Sequence, residues 1–175
     1  FVVHEALITQ RSKFFKAATK RGWKESEDRV VKFPYDRGPI FKLYLQHLYR
    51  GDFPLRKSAR TQEQCELPSM TYFHEVHSLC DLYVLAEKLQ DVVTKNAVVD
   101  AIIEISLRIY PDGRVYEPDV FAVKSIYEGT PGPNPCRRML VDLYCHRYYG
   151  KDDHWLLAPD VWPKDFFVDM MKTLI

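Results

Sequence analysis

The sequence predicts an α+β fold, a small sheet flanked by helical hairpins and followed by an all-helical C-terminal extension. Three observations predict it. Residues 1–3 and 29–33 are short strand-like stretches, the second ended by Pro34, which offers no amide to a ladder. Residues 40–107 carry apolar positions at helical spacing in well-punctuated segments. Beyond the turn signal Pro111-Asp112-Gly113 no further strand pattern occurs, so that turn marks a boundary between a unit over residues 1–107 and a helical extension over 111–175 packed on it.

Residues 1–3 read as the end of a buried strand, after which residues 4–10 carry Ala6, Leu7 and Ile8 as a short helical apolar face. Ser12 is placed to cap the next helix, which sets Phe14, Phe15 and Ala18 on one side and ends near Gly22. A polar turn leads into the strand at 29–33. The clearest helix follows: Gly38 precedes Pro39 at the first helical position, and Gly51 stands just past the end. Between them Ile40, Phe41, Tyr44, Leu45, Leu48 and Tyr49 build one wide apolar stripe that must be buried. Residues 52–69, polar and proline-punctuated, predict a mobile surface loop. Residues 72–90 and 91–107 then predict a helical hairpin or bent pair with Asp91 as the N-cap of the second helix. Leu82, Leu85, Ala86 and Leu89 line the first member, and Val93, Ala97, Ala101 and Ile105 line the second. Three more helices are expected over 118–127, 136–149 and 163–174, and the repeat of Phe166, Phe167, Met170, Met171, Leu174 and Ile175 requires the last to pack.

Composition narrows the function. The 175 residues are 46% hydrophobic, enough for one compact unit or two small helical layers, and 25 Lys plus Arg against 24 Asp plus Glu leave a formal charge of +1. Such a balance, without a dense basic run, lacks the field that gathers phosphates and argues against nucleic acid as a partner. The longest apolar run, residues 82–86, falls far short of the ~20 residues that cross a bilayer, and no charged-then-apolar leader opens the chain, which argues against a membrane. Cys65, Cys80, Cys136 and Cys145 lie far apart with no C-x-x-C pair, as reduced thiols do, so a cytoplasmic or nuclear location is expected. The chain opens on Phe1 already in a strand pattern, so it is expected to start inside a domain.

Phe1-Val2-Val3-His4-x-x-Leu7-x-x-x-Arg11-Ser12-x-Phe14-Phe15, then Arg29-Val30-Val31-Lys32-Phe33-Pro34, then Phe41-x-x-Tyr44-Leu45-x-x-Leu48-Tyr49-x-Gly51 together resemble the BTB/POZ domain. Leu82-Tyr83-Val84-Leu85-Ala86-Glu87-Lys88-Leu89 looks most like fungal members, and the match spans residues 1–107 in order and spacing. Ile126-Tyr127-Glu128 and Arg137-Arg138-x-Leu140-Val141-Asp142-Leu143-Tyr144 resemble the helical tail of fungal BTB proteins. The resemblance implies a small antiparallel or mixed sheet covered by helical hairpins, and protein association without catalysis or cofactor. It also implies a homodimer, built in the family partly from a strand and hairpin that precede the Phe1 position and are not in this chain. The family often carries Lys or Arg directly after the histidine as part of a charged pocket; Glu5 occupies that place here, so the pocket is not carried over.

Trp23-Lys24-Glu25 sits where BTB adaptors that recruit Cullin-3 carry an apolar, any, acidic triplet. An exposed indole is a large anchor of low side-chain entropy, and a neighbouring carboxylate can accept from a cullin side chain or amide; the competing reading is Trp23 folded onto its own helix with Glu25 and Glu27 solvated. His74, His77 and Cys80, with Cys65 upstream, are residue types that bind zinc. On a helix, however, Cys80 is rotated roughly 240° from His74 at about 100° per residue, which argues against one shared ion. His4 reads as a local hydrogen-bonding residue at the strand-to-helix turn, and adjacent Cys145 and His146 point to different sides of a helix, a poor geometry for nucleophile and base. No phosphate-binding glycine loop occurs among seven glycines. Arg137 and Arg138, and Lys13, Lys16, Lys20 and Arg21, read as ordinary solvated faces. Tyr144, Tyr148, Tyr149, Trp155 and Trp162 read as aromatic cover for the C-terminal helices, with a partner groove as the alternative. The function expected is thus a non-enzymatic protein–protein interaction adaptor, either for Cullin-3 through Trp23, Lys24 and Glu25 or as a self-associating scaffold in transcriptional regulation. A metal-dependent enzyme is the opposing class.

Overall fold

The computed structural model describes residues 1–20, 28–55, 67–147 and 159–174. Their order is α1 (Glu5–Arg11), α2 (Lys13–Ala18), α3 (Gly38–Arg50), α4 (Pro68–Leu89), α5 (Val92–Leu107), α6 (Val120–Gly129), α7 (Pro135–Arg147), a short 3-10 turn (Pro159–Val161) and α8 (Lys164–Leu174). No strand occurs among the described residues, so the expected α+β fold with a small sheet is wrong and the architecture is all-helical. Residues 1–3 and 30–33 carry strand-like composition but lie in irregular backbone. The reason is physical: a helix closes its hydrogen bonds within one segment, whereas a strand exists only where a second segment pairs with it. Arg29, moreover, has φ +50°, a left-handed conformation that interrupts an extended run.

Local punctuation at the helix ends behaves as the sequence predicts. The Ser12 hydroxyl accepts from the Phe15 amide at 3.1 Å, capping α2, although that helix ends at Ala18 and Gly22 lies outside the described residues. Gly51, at φ +78°, closes α3 by donating its amide to the His47 carbonyl at 2.8 Å. Asp91 caps α5, accepting from the Thr94 amide at 3.0 Å. Between α4 and α5, Gln90 takes the left-handed conformation with φ +53° that glycine more often supplies.

α4 is the centre of the molecule. Tyr72, Val76, Leu79, Leu82, Tyr83, Ala86 and Leu89 are all at most 1% exposed, because α3, α5 and α6 pack around it. It starts at Pro68 rather than near residue 72, with proline at a position that needs no amide, so residues 68 and 69 belong to a helix and not to the expected loop. Residues 56–66 of that loop lie outside the described residues; of the rest, Phe53 is buried.

α5 buries Thr94, Val98, Ala101, Ile102 and Ile105, whereas Val93 is 55% exposed. The predicted face is therefore offset by about one residue. A helix apolar nearly all round does not announce its inner face, and here the Asp91 cap, which holds Thr94 inward, sets the rotation. Pro111-Asp112-Gly113 forms the predicted turn, with the Gly113 amide donating to the Tyr110 carbonyl at 2.9 Å. Beyond it α6 begins at Val120, capped by Asp119, and α7 and α8 pack on each other. Tyr144, Trp162 and Phe166 interlock there, Trp162 stacked on Phe166 at 5.6 Å; Tyr148, Tyr149 and Trp155 lie outside the described residues. Phe166 and Met170 are buried as expected, while Met171 and Leu174 are exposed. Buried residues from before and after the turn belong to one core.

Candidate functional site

An open groove of about 810 Å³ lies where residues 1–3 and 29–33 approach α1, α2 and α3. Ser12 positions its floor. Fully buried between α1 and α2, its hydroxyl donates to the Leu89 carbonyl at the end of α4 at 2.6 Å while accepting from Phe15, so both short helices are fixed on the central one. Phe33 meets Phe14, Phe15 and Phe41 at centroid separations of 5.6–5.8 Å, and Phe1 lies 5.2 Å from Phe41. Lys88 reaches over the Phe33 ring at 5.2 Å and pairs with Asp36 at 2.6 Å, which ties the irregular segment to α4. The rim is apolar and open: Phe1 is 76%, Val2 101% and Val30 52% exposed. Backbone groups of residues 1–3 and 30–32 make no backbone–backbone hydrogen bond among the described residues. Glu5 and Arg29 give the rim charges of both signs. This arrangement offers apolar surface and main-chain hydrogen-bonding groups, the means by which proteins dock on one another.

His4 stands at the groove's edge as the residue before α1. Its partner is not local as expected: its amide donates to the Tyr49 hydroxyl at 3.0 Å, and Nδ1 lies 2.8 Å from the same oxygen. Tyr49 thereby ties the start of α1 to the end of α3. Trp23, Lys24 and Glu25, the expected cullin contacts, lie outside the described residues.

The zinc-type residues do not converge. His74 is exposed, His77 bonds Asp119 at 2.8 Å, Cys80 is fully buried with its thiol pushed well up by desolvation, and Cys65 lies outside the described residues. No group of three His, Cys, Asp or Glu side chains among the described residues is placed to hold a metal ion. Cys145 is half-buried, its thiol also raised by desolvation, and His146 is exposed.

Arg138 is solvated beside Asp142 as expected, but Arg137 corrects the prediction of a solvated face. It is 8% exposed, donates through Nη2 to the Tyr127 carbonyl at 2.8 Å and to the Thr130 carbonyl, and lies 4.4 Å from the Tyr127 ring centroid. It satisfies the carbonyl end of α6, which no glycine cap closes. Nothing in its spacing announces this, since Arg137 and Arg138 are indistinguishable in sequence.

A second polar cluster escaped the sequence reading except for its cap. The Asp91 carboxylate, fully buried, accepts from the Thr94 amide and hydroxyl and from the Tyr44 hydroxyl at 3.1 Å, and lies 3.4 Å from Arg11. Burial, and then the Asp91 charge, push the Tyr44 phenol well above its ordinary range. Three helices, α1, α3 and α5, meet at this one carboxylate, so its role is to hold α1 and α3, which frame the groove, onto the start of α5.

No helix among the described residues is long and apolar enough to cross a membrane. Neither a family model, nor a curated protein, nor a solved structure matches the sequence.

Proposed function

We propose that this chain is a non-enzymatic protein–protein interaction adaptor of the cytoplasm or nucleus, whose groove receives an extended apolar segment of a partner protein. One observation carries the reading: an aromatic-floored groove has an exposed apolar rim beside backbone that lacks pairing partners among the described residues. Covering Phe1, Val2 and Val30 contributes up to ~1.5–3 kcal/mol for each side chain, and main-chain hydrogen bonds to an extended segment add direction. Cullin-3 is the partner suggested by the BTB-like motifs, through Trp23 and Glu25.

The test is affinity purification of the whole protein from its own cells with mass spectrometry, followed by direct binding of the recovered partner and of Cullin-3 to purified protein. Combined Val2→Asp and Val30→Asp substitution weakens partner binding at least tenfold at unchanged thermal midpoint, because neither side chain is in the core. Unchanged binding removes the groove from the account. Trp23→Ala with Glu25→Ala abolishes Cullin-3 recovery if that contact is used; retained recovery removes it. The exposed rim also suits a self-associating scaffold in transcriptional regulation, in which case sedimentation shows a dimer that the same two aspartates dissociate.

A further inference from the structure

His47 is a buried titratable group that neither the groove nor the Asp91 cluster uses. It lies on α3 at 4% exposure, and its ring stacks on that of Phe53 with centroids 4.5 Å apart and planes 21° from parallel. Neither ring nitrogen has a hydrogen-bond partner among the described residues. Three charged groups face it from the surrounding elements: Arg11 at the end of α1, Asp91 at the start of α5, and Asp52 just beyond α3. Both carboxylates are already engaged, Asp91 with Thr94, Tyr44 and Arg11, and Asp52 with Arg50 at 3.3 Å. Arg11 carries the same sign as an imidazolium, and its own Nε is buried without a partner. A proton on His47 therefore creates a buried cation with no acceptor at either ring nitrogen, beside another cation.

We infer that His47 is an acid-sensitive latch: the neutral ring seals the end of α3 against Phe53, and the protonated ring leaves that stack and releases the turn at Gly51 and Asp52. The turn is mechanically tied to the ring, since the Gly51 amide donates to the His47 carbonyl at 2.8 Å. Desolvation first, and then the Arg11 charge, hold the ring's ionisation below the ordinary histidine value. The sign follows. Above the ordinary value, open and closed forms are both neutral. Between it and the lowered native value only the open form binds the proton, so closure weakens as pH falls, by up to about tenfold in the closed-to-open ratio per pH unit.

The test is a proton NMR titration of the full chain with amide exchange measured alongside. The His47 ring ionises below the ordinary histidine value. The Phe53 ring resonances shift in the same step, and Gly51 amide exchange, corrected for its intrinsic pH dependence, rises at least tenfold across it. His47→Phe keeps a ring for the stack without a proton site, and it abolishes the step at Phe53 and Gly51. If that variant does not fold, the wild-type titration decides alone. Ionisation of His47 at or above the ordinary histidine value, or Phe53 and Gly51 unchanged while it titrates, overturns the latch. So does survival of the step in His47→Phe.

Discussion

Removing the Asp91 carboxylate tests whether one buried side chain holds the helices that frame the groove. Asp91→Ala deletes the α5 N-cap, a loss of about 1 kcal/mol. It leaves the Tyr44 hydroxyl, on a residue that is 0% exposed, without its acceptor, at about 1–3 kcal/mol. It also strips Arg11 of its counter-charge; that side chain is 21% exposed, so water recovers part of the loss and the cost falls below the ~3–5 kcal/mol of a broken fully buried pair. Because the three losses share one group they do not add fully, and the expected total is about 3–5 kcal/mol. Asp91→Asn keeps one oxygen, as the acceptor for the Thr94 amide, but puts an NH2 where Oδ2 accepts from the Tyr44 and Thr94 hydroxyls and faces Arg11, so only the cap survives and about 2–4 kcal/mol is expected, less than for Asp91→Ala. Urea unfolding followed by circular dichroism measures both, with the slope against denaturant unchanged if the native fold persists. An Asp91→Ala variant within about 1 kcal/mol of wild type, or an Asp91→Asn variant as damaged as Asp91→Ala, refutes the reasoning.

Two further outcomes follow from buried polar groups. Arg137→Met keeps a long side chain over the Tyr127 ring but removes both donors to the end of α6, and it lowers stability by about 1–3 kcal/mol, while Arg138→Met, which loses only an exposed pair with Asp142, stays within about 0.5 kcal/mol. Burial pushes the Tyr83 and Tyr110 phenols up to about 12 from an ordinary value of 10.0. Above pH 10 the unfolded chain therefore loses these protons while the folded chain keeps them, so stability falls as pH rises toward 12; phenolate absorbance shows these tyrosines ionising late in the native protein and normally in urea.

The helical half of the sequence reading held because its signals are local. Ser12, Gly38-Pro39, Gly51 and Asp91 act on amides and carbonyls within a few residues, so their meaning does not depend on what the rest of the chain does. The strand half failed for the opposite reason: Val30-Val31 and Val2-Val3 have the composition of strands, but pairing is a relation between distant segments, and none forms among the described residues. The groove itself was not legible in the sequence, which placed its aromatic residues on separate helix faces and strand-like stretches. That Phe15, Phe33 and Phe41 make its floor while Phe1 and Val2 make its rim depends on how α1, α2 and α3 seat on α4.

By itself the amino-acid sequence determined where most described helices start and stop, that their apolar positions require burial, and that Arg137 and Arg138 are chemically alike. Tertiary structure alone decided that Arg137 is buried and Arg138 is not, that His47 stacks on Phe53 without a hydrogen bond, and that Arg11, Tyr44 and Thr94 share Asp91. The reason is that hydrophobic burial is non-directional and sets only which faces turn inward, whereas the partner of a polar group is whichever side chain the completed packing brings within about 3 Å.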